Sequence, residues 1–178
     1  MGFALSMDAF AVTIANAFAY PKTSKGKSFL GPVFFALFQG FMPVIGYLLG
    51  SYASEIILRY QGIVSLLILG IIGGKMVYDG IKGIRNPDEE DANKGSLSIK
   101  VVLLQAIATS IDALAVGVAY VSGDIPIGVL ALIILLTTLA SCTVAWLIGR
   151  KFGEALGAKA QIVGGIVLIC IGIKAMFF

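Results

Sequence analysis

Three observations predict an all-α integral membrane protein with six transmembrane helices arranged as two inverted three-helix repeats. Of the 178 residues, 58% are hydrophobic and only 13% charged, with mean hydropathy +0.98; a soluble domain has an apolar share of roughly 45 to 50%. The apolar residues fall into six runs of helix length, not into the roughly ten-residue alternating segments of an outer-membrane barrel. The stretch Ser6-Met-Asp-Ala-Phe-Ala-Val12 recurs as Ser110-Ile-Asp-Ala-Leu-Ala-Val116.

The runs cover residues 2–20, 29–50, 61–81, 98–122, 125–148 and 160–178. Each is near the ~20 residues that cross the hydrocarbon core. Pro21 closes the first, and Lys22, Lys25 and Lys27 follow it. Residues 85–97, with Asp88, Glu89, Glu90 and Asp91, form an acidic cytoplasmic linker between a first repeat at 1–84 and a second at 98–178, both in one membrane domain. That acidic run fits a solvated linker and equally a patch that concentrates cations.

Lysine and arginine outside the spans set the orientation. They gather in the first loop, in the third (Lys82, Arg85, Lys94, Lys100) and in the fifth (Arg150, Lys151, Lys159), whereas the second has only Arg59 and the fourth none. The positive-inside rule therefore places the odd loops in the cytoplasm and both termini outside. Tyr20, Tyr52, Tyr60, Tyr120 and Trp146 near span ends suit the two interfaces.

An offset of 104 superimposes Ser6, Asp8, Ala9, Ala11 and Val12 on Ser110, Asp112, Ala113, Ala115 and Val116. An offset of 99 carries Gly50 onto Gly149, Leu69 onto Leu168, Gly73 onto Gly172 and Lys75 onto Lys174. A repeat of three helices is odd, so the second copy enters from the opposite side, as in secondary transporters whose substrate site lies where the repeats meet. Asp112 has about fourteen residues of span before it and Asp8 only seven, so the sequence is expected to begin inside its first helix.

An ionisable group at mid-membrane costs at least ~3 kcal/mol, which makes Asp8 and Asp112 functional candidates rather than packing residues. Gln105, Thr109 and Asp112 stand at i, i+4 and i+7 and share a helix face; Asp8 and Asn16 share another. Ser6 and Ser110 lie on the opposite side of each aspartate and suit back-bonding to the helix. Gln39, before Gly40 and Pro43, fits a cation ligand or an interhelical hydrogen bond, and Pro43 frees a backbone carbonyl. Lys75 lies deep in the third span with Asp79 at i+4; it either pairs with Asp79 or gates the central carboxylates. Lys174, nearer the chain end, is expected to snorkel. Glycines four apart, Gly46 with Gly50, Gly70 with Gly74, and Gly149 with Gly153 and Gly157, are expected to be helix-packing surfaces.

There is no histidine, and the two cysteines, Cys142 and Cys170, sit singly in apolar runs. A bound metal would then be a hard ion held by oxygen. No nucleophile with a base, P-loop or dinucleotide fingerprint is present, so the chain is read as a protein that is not an enzyme, carries no cofactor and binds no nucleic acid.

With Ser6 to Val12, Ala108 to Gly117, Pro43-Val-Ile-Gly46, Gly73-Gly-Lys-Met76 and Lys159 to Gly165, the sequence resembles the MntP family of bacterial manganese efflux pumps, within the LysE-like transporter superfamily. The resemblance covers nearly all six spans. It implies export of Mn²⁺ as transported substrate across the bacterial plasma membrane, with Asp8 and Asp112 at the two key acidic positions. The first helix is shorter than the family pattern, and Gln39 stands where some members have an acidic residue.

The expected mechanism is alternating access, with Asp8 and Asp112 neutralising the ion and Thr109, Gln39, Asn16 and Gln105 supplying neutral oxygens. Two close carboxylates stripped of their cation do not both stay ionised, so at least one takes a proton and H⁺ antiport is the natural coupling. Asp79 and Lys75 are candidates for proton coupling or gating. The alternatives are an amino-acid or other small-cation exporter of the LysE type and a non-transporting membrane scaffold. Monomer and homodimer both remain open.

Overall fold

A backbone surrounded by hydrocarbon has to satisfy its own hydrogen bonds, and apolar runs of about twenty residues do this as helices. The computed structural model describes residues 2–20, 23–85, 97–120, 125–156 and 158–177. The helices are α1 (Gly2–Ala19), α2 (Lys25–Leu49), α3 (Ser51–Arg85), α4 (Ile99–Ala119), α5 (Ile127–Leu156) and α6 (Ala158–Phe177). All six contain a stretch long and apolar enough to cross a membrane. Asp88, Glu89, Glu90 and Asp91 lie outside the described residues, as do Pro21, Lys22, Lys94 and Gly157.

Several helices run past the apolar limits seen in the sequence. The third run was bounded at residue 81, but α3 continues to Arg85 and places Lys82 and Arg85 in its last turn, where cations complement the C-terminal dipole. Pro32 and Pro43 both lie inside α2. Between α2 and α3 stands Gly50, in the left-handed region at φ 54°, where a side chain is strained.

Small residues let the backbones approach. α3 and α6 run antiparallel along their length, Gly62 against Ala175 and Met176, Gly73 against Gly165 and Leu168, and Gly80 against Ile162. α1 lies parallel to α5, with Gly149 against Ala17 and Gly153 against Ala17 and Phe18. α2 meets α4 through Gly46 on the Leu114 carbonyl and Gly117 on the Pro43 carbonyl. α2 crosses α5 antiparallel, Gly40 against Leu135 and Ser28 accepting a 2.8 Å bond from Trp146 Nε1.

The glycine pattern read from spacing is corrected in α3. Gly70 and Gly74 meet open space, and Gly73 is the residue that packs. The buried stripe of α3 runs through Leu69, Gly73, Met76 and Gly80, at the alternating three- and four-residue steps of a helix seam.

Ala9, Val12, Ala15, Phe35, Leu69, Met76, Ala106, Cys142 and Leu168 form the main core. Large apolar side chains also point outward, Phe41, Leu48, Leu67, Ile71, Leu132, Leu136 and Leu147 among them. That inversion of the soluble pattern is what a lipid solvent calls for.

Candidate functional site

Four helices, α1, α3, α4 and α6, surround a cavity of about 190 Å³ that contains both aspartates. Asp8 reaches it from α1 and Asp112 from α4, and Thr109, one turn before Asp112, lines it as well. Gln61 and Ser65 enter from α3, and Ile171, Lys174 and Ala175 from α6. The repeated motif thus delivers its two carboxylates to one space.

Each carboxylate has a distinct partner. Lys174 Nζ donates to Asp8 Oδ1 at 2.8 Å. Asp112 Oδ1 accepts the Ala113 backbone N–H at 2.7 Å. Around them stand neutral oxygens. Thr109 Oγ1 donates to the Gln105 carbonyl at 2.9 Å, and Ser65 Oγ donates to the Ala108 carbonyl at 2.9 Å. A hydroxyl that donates its proton to the backbone keeps its lone pairs for a cation. Gln61 Oε1 is buried with no hydrogen-bond partner among the described residues, an exception to the usual pairing of buried polar atoms.

Among the described residues no three His, Cys, Asp or Glu side chains converge. A divalent ion held here would draw on two carboxylates and the hydroxyl and amide oxygens beside them, a set suited to hard ions.

The other residues singled out in the sequence lie elsewhere. Asn16 and Gln105 are buried against each other, Asn16 Nδ2 donating to Gln105 Oε1 at 2.7 Å and Gln105 Nε2 to Asn16 Oδ1 at 3.1 Å. Gln105 precedes Asp112 by seven residues on α4, about 10 Å along the helix. Gln39 is fully buried, its Nε2 donating to the Leu5 carbonyl at 2.6 Å, while its Oε1 has no partner among the described residues. Ser6 Oγ donates to the Phe3 carbonyl at 2.8 Å and faces Ser141 Oγ at 3.2 Å; Ser110 Oγ donates to the Ala106 carbonyl. Pro43 packs beside Gly117.

The two lysines differ from expectation. Lys75 is exposed on α3 and does not line the cavity, and Asp79, half-buried, stands close enough to the Tyr20 phenol to act on it. Lys174, expected to turn toward the interface, holds Asp8 instead. Lys174, Gln61 and Ser65 are the cavity residues missed. The equivalence of Lys174 with Lys75, and the i, i+4 polar pair Gln61 and Ser65 in an apolar helix, were the available signals.

Near the other end of α1 the packing is tight. Thr23, Ser28, Leu97, Trp146 and Arg150 knit α2, α4 and α5 together: Leu97 N–H donates to Thr23 Oγ1 at 3.2 Å, and Arg150 donates to the Thr23 carbonyl at 3.2 Å while its guanidinium lies 5.6 Å from the Trp146 ring.

Six helices long and apolar enough to span a membrane, four of them enclosing a cavity that bears two carboxylates, define a multi-pass membrane protein with a polar site within its helices. A family described as "Putative manganese efflux pump" matches residues 22–176. A protein of that name, MntP, from Ruminiclostridium cellulolyticum is 41% identical over 182 aligned residues, covering 100% of this chain and 95% of the relative. Others from Clostridium botulinum and Clostridium perfringens are 42% and 36% identical, with 96% and 98% of this chain and 88% and 90% of the relatives covered. The chain belongs to the MntP family of manganese efflux pumps. No solved structure matches it.

Proposed function

We propose that this protein exports Mn²⁺ from the cytoplasm across the bacterial plasma membrane by alternating access, with Asp8 and Asp112 as the charged ligands. The observation that carries the reading is the meeting of the two repeated aspartates in one cavity with Thr109, Ser65 and Gln61. Two carboxylates balance one divalent ion. At about 30 Å³ per water, the cavity has room for an ion that keeps part of its hydration shell.

Residues 1–84 and 98–178 are proposed as the two inverted repeats. Exchanging α1 with α4, α2 with α5 and α3 with α6 turns the α1–α5 contact into the α4–α2 contact and leaves the α3–α6 and α2–α5 contacts in place, which supports a two-fold relation. α1 and α4 are antiparallel, since Asn16 meets Gln105 while Asp8 shares a cavity with Asp112. With the positive loops inside, the Thr23, Trp146 and Arg150 cluster is cytoplasmic and the cavity lies toward the outer face. The Asn16–Gln105 pair then separates the site from the cytoplasm, and its opening exposes the site to the other side.

Proton antiport is the coupling the chemistry favours, because without the cation Lys174 balances one of the two carboxylates and a proton is the natural counter-charge for the other. Mn²⁺ flux into proteoliposomes tests the site: Asp8→Asn and Asp112→Asn each abolish it if the assignment holds, and wild-type flux in either variant sinks it. An imposed pH gradient tests the coupling separately, since a flux indifferent to that gradient excludes antiport.

A further inference from the structure

We propose that the Lys174 ammonium is a tethered counter-ion that occupies the cation position at Asp8 and has to be displaced before a divalent ion binds. The inference deepens the reading above and rests on it. Lys174 lines the cavity and lies 2.8 Å from Asp8 Oδ1. Its side chain is 56% exposed while that of Asp8 is 22% exposed. The lysine thus reaches in from the rim on a flexible stem, and the less exposed carboxylate is the fixed partner. Asp112 faces the same space with a backbone amide on one oxygen. The site therefore carries its own monovalent cation on one of its two carboxylates.

An ammonium and a divalent ion do not share Asp8 Oδ1, since like charges at contact repel strongly away from bulk water. An incoming ion sees only molecules in which the lysine has swung away, and its apparent affinity falls by that fraction. A monovalent ion replaces one unit charge with another and competes against a ligand held at high effective concentration by its tether. A divalent ion gains a second unit of charge facing Asp112 as well. Lys174 therefore selects for divalent over monovalent cations and, by returning to Asp8, assists release.

The test is Mn²⁺ binding to the purified full-length protein in detergent at fixed pH, by calorimetry, with and without added K⁺. Lys174→Met is expected to bind Mn²⁺ about tenfold more tightly, on the scale of ordinary coupling between competing ligands, and to become sensitive to K⁺. Lys174→Arg, which keeps the charge and holds carboxylates in a fork, is expected to bind no more tightly than wild type. Lys159→Met, an exposed lysine of the same helix outside the cavity, controls for loss of charge and is expected to leave affinity unchanged. Wild-type or weaker affinity in Lys174→Met, with binding lost in Asp8→Asn, overturns the role of the lysine alone. Undiminished binding in both Asp8→Asn and Asp112→Asn overturns the ion site, and the lysine role with it. If Lys174→Met is not monodisperse, Lys174→Gln carries the same expectation.

Discussion

Asn16 and Gln105 exchange two hydrogen bonds, at 2.7 and 3.1 Å, between antiparallel helices from opposite halves of the chain. Each amide gives one N–H and one oxygen to the other, and both side chains are buried. Neither side chain lines the cavity that holds the aspartates.

Removing one partner is therefore costlier than removing both. Gln105→Leu strands the Asn16 amide and is expected to lower stability by about 1–3 kcal/mol. The Asn16→Leu/Gln105→Leu double variant should lose clearly less than the sum of the two single losses, measured by thermal unfolding in detergent. Additive losses would argue that the amides do not act as a pair.

Two glycines separate packing from open surface. A methyl group at Gly117 would run into the Pro43 backbone, which has no flexible end to give way, whereas at Gly70 it meets nothing within 4 Å. Gly117→Ala is expected to cost about 1–3 kcal/mol, and Gly70→Ala to be neutral or slightly stabilising. Equal melting temperatures for the two variants would contradict the α2–α4 contact.

Thr138 is fully buried and its hydroxyl has no partner among the described residues. Thr138→Val keeps the shape and removes a polar atom that burial penalises. Its melting temperature should equal or exceed that of wild type by up to about 1 kcal/mol in stability. A drop of that size would mean that the hydroxyl is engaged.

Tyr20, just past the end of α1, has its phenol pushed above the ordinary value of 10.0, first by burial and then by the charge of Asp79. The folded state thus holds the phenolic proton more tightly than the unfolded chain does. This contribution to stability is complete below pH 10 and is lost as pH rises through the raised value. The tyrosinate absorbance difference between wild type and Tyr20→Phe should have its midpoint above 10.0; a midpoint at or below that value refutes the shift.

The six helices were legible because spanning a membrane demands a run of fixed length and composition, and the aspartate pair because the motif occurs twice. Facing was less legible. Lys75 and Lys174 correspond by the repeat, yet Lys174 lines the cavity and Lys75 does not, because rotation of a helix about its axis is set by its neighbours. Gln39 fits a ligand or an interhelical bond by sequence alone, and its Nε2 makes the bond, reaching from α2 to the Leu5 carbonyl of α1. In α3 a four-residue glycine spacing pointed to Gly70 and Gly74, but the seam with α6 passes through Gly62, Gly73 and Gly80. Spacing shows that two residues share a face without showing which face is covered.

Asp8 and Lys174 are separated by 166 positions, so α1 leaves the ribosome with a carboxylate whose cation arrives only with α6. Until then the charge has to find water, another side chain or the lipid interface. Joining α1 to α6 makes this ion pair a late contact of assembly. A chain halted before α6 would leave an acid in the bilayer without its counter-charge.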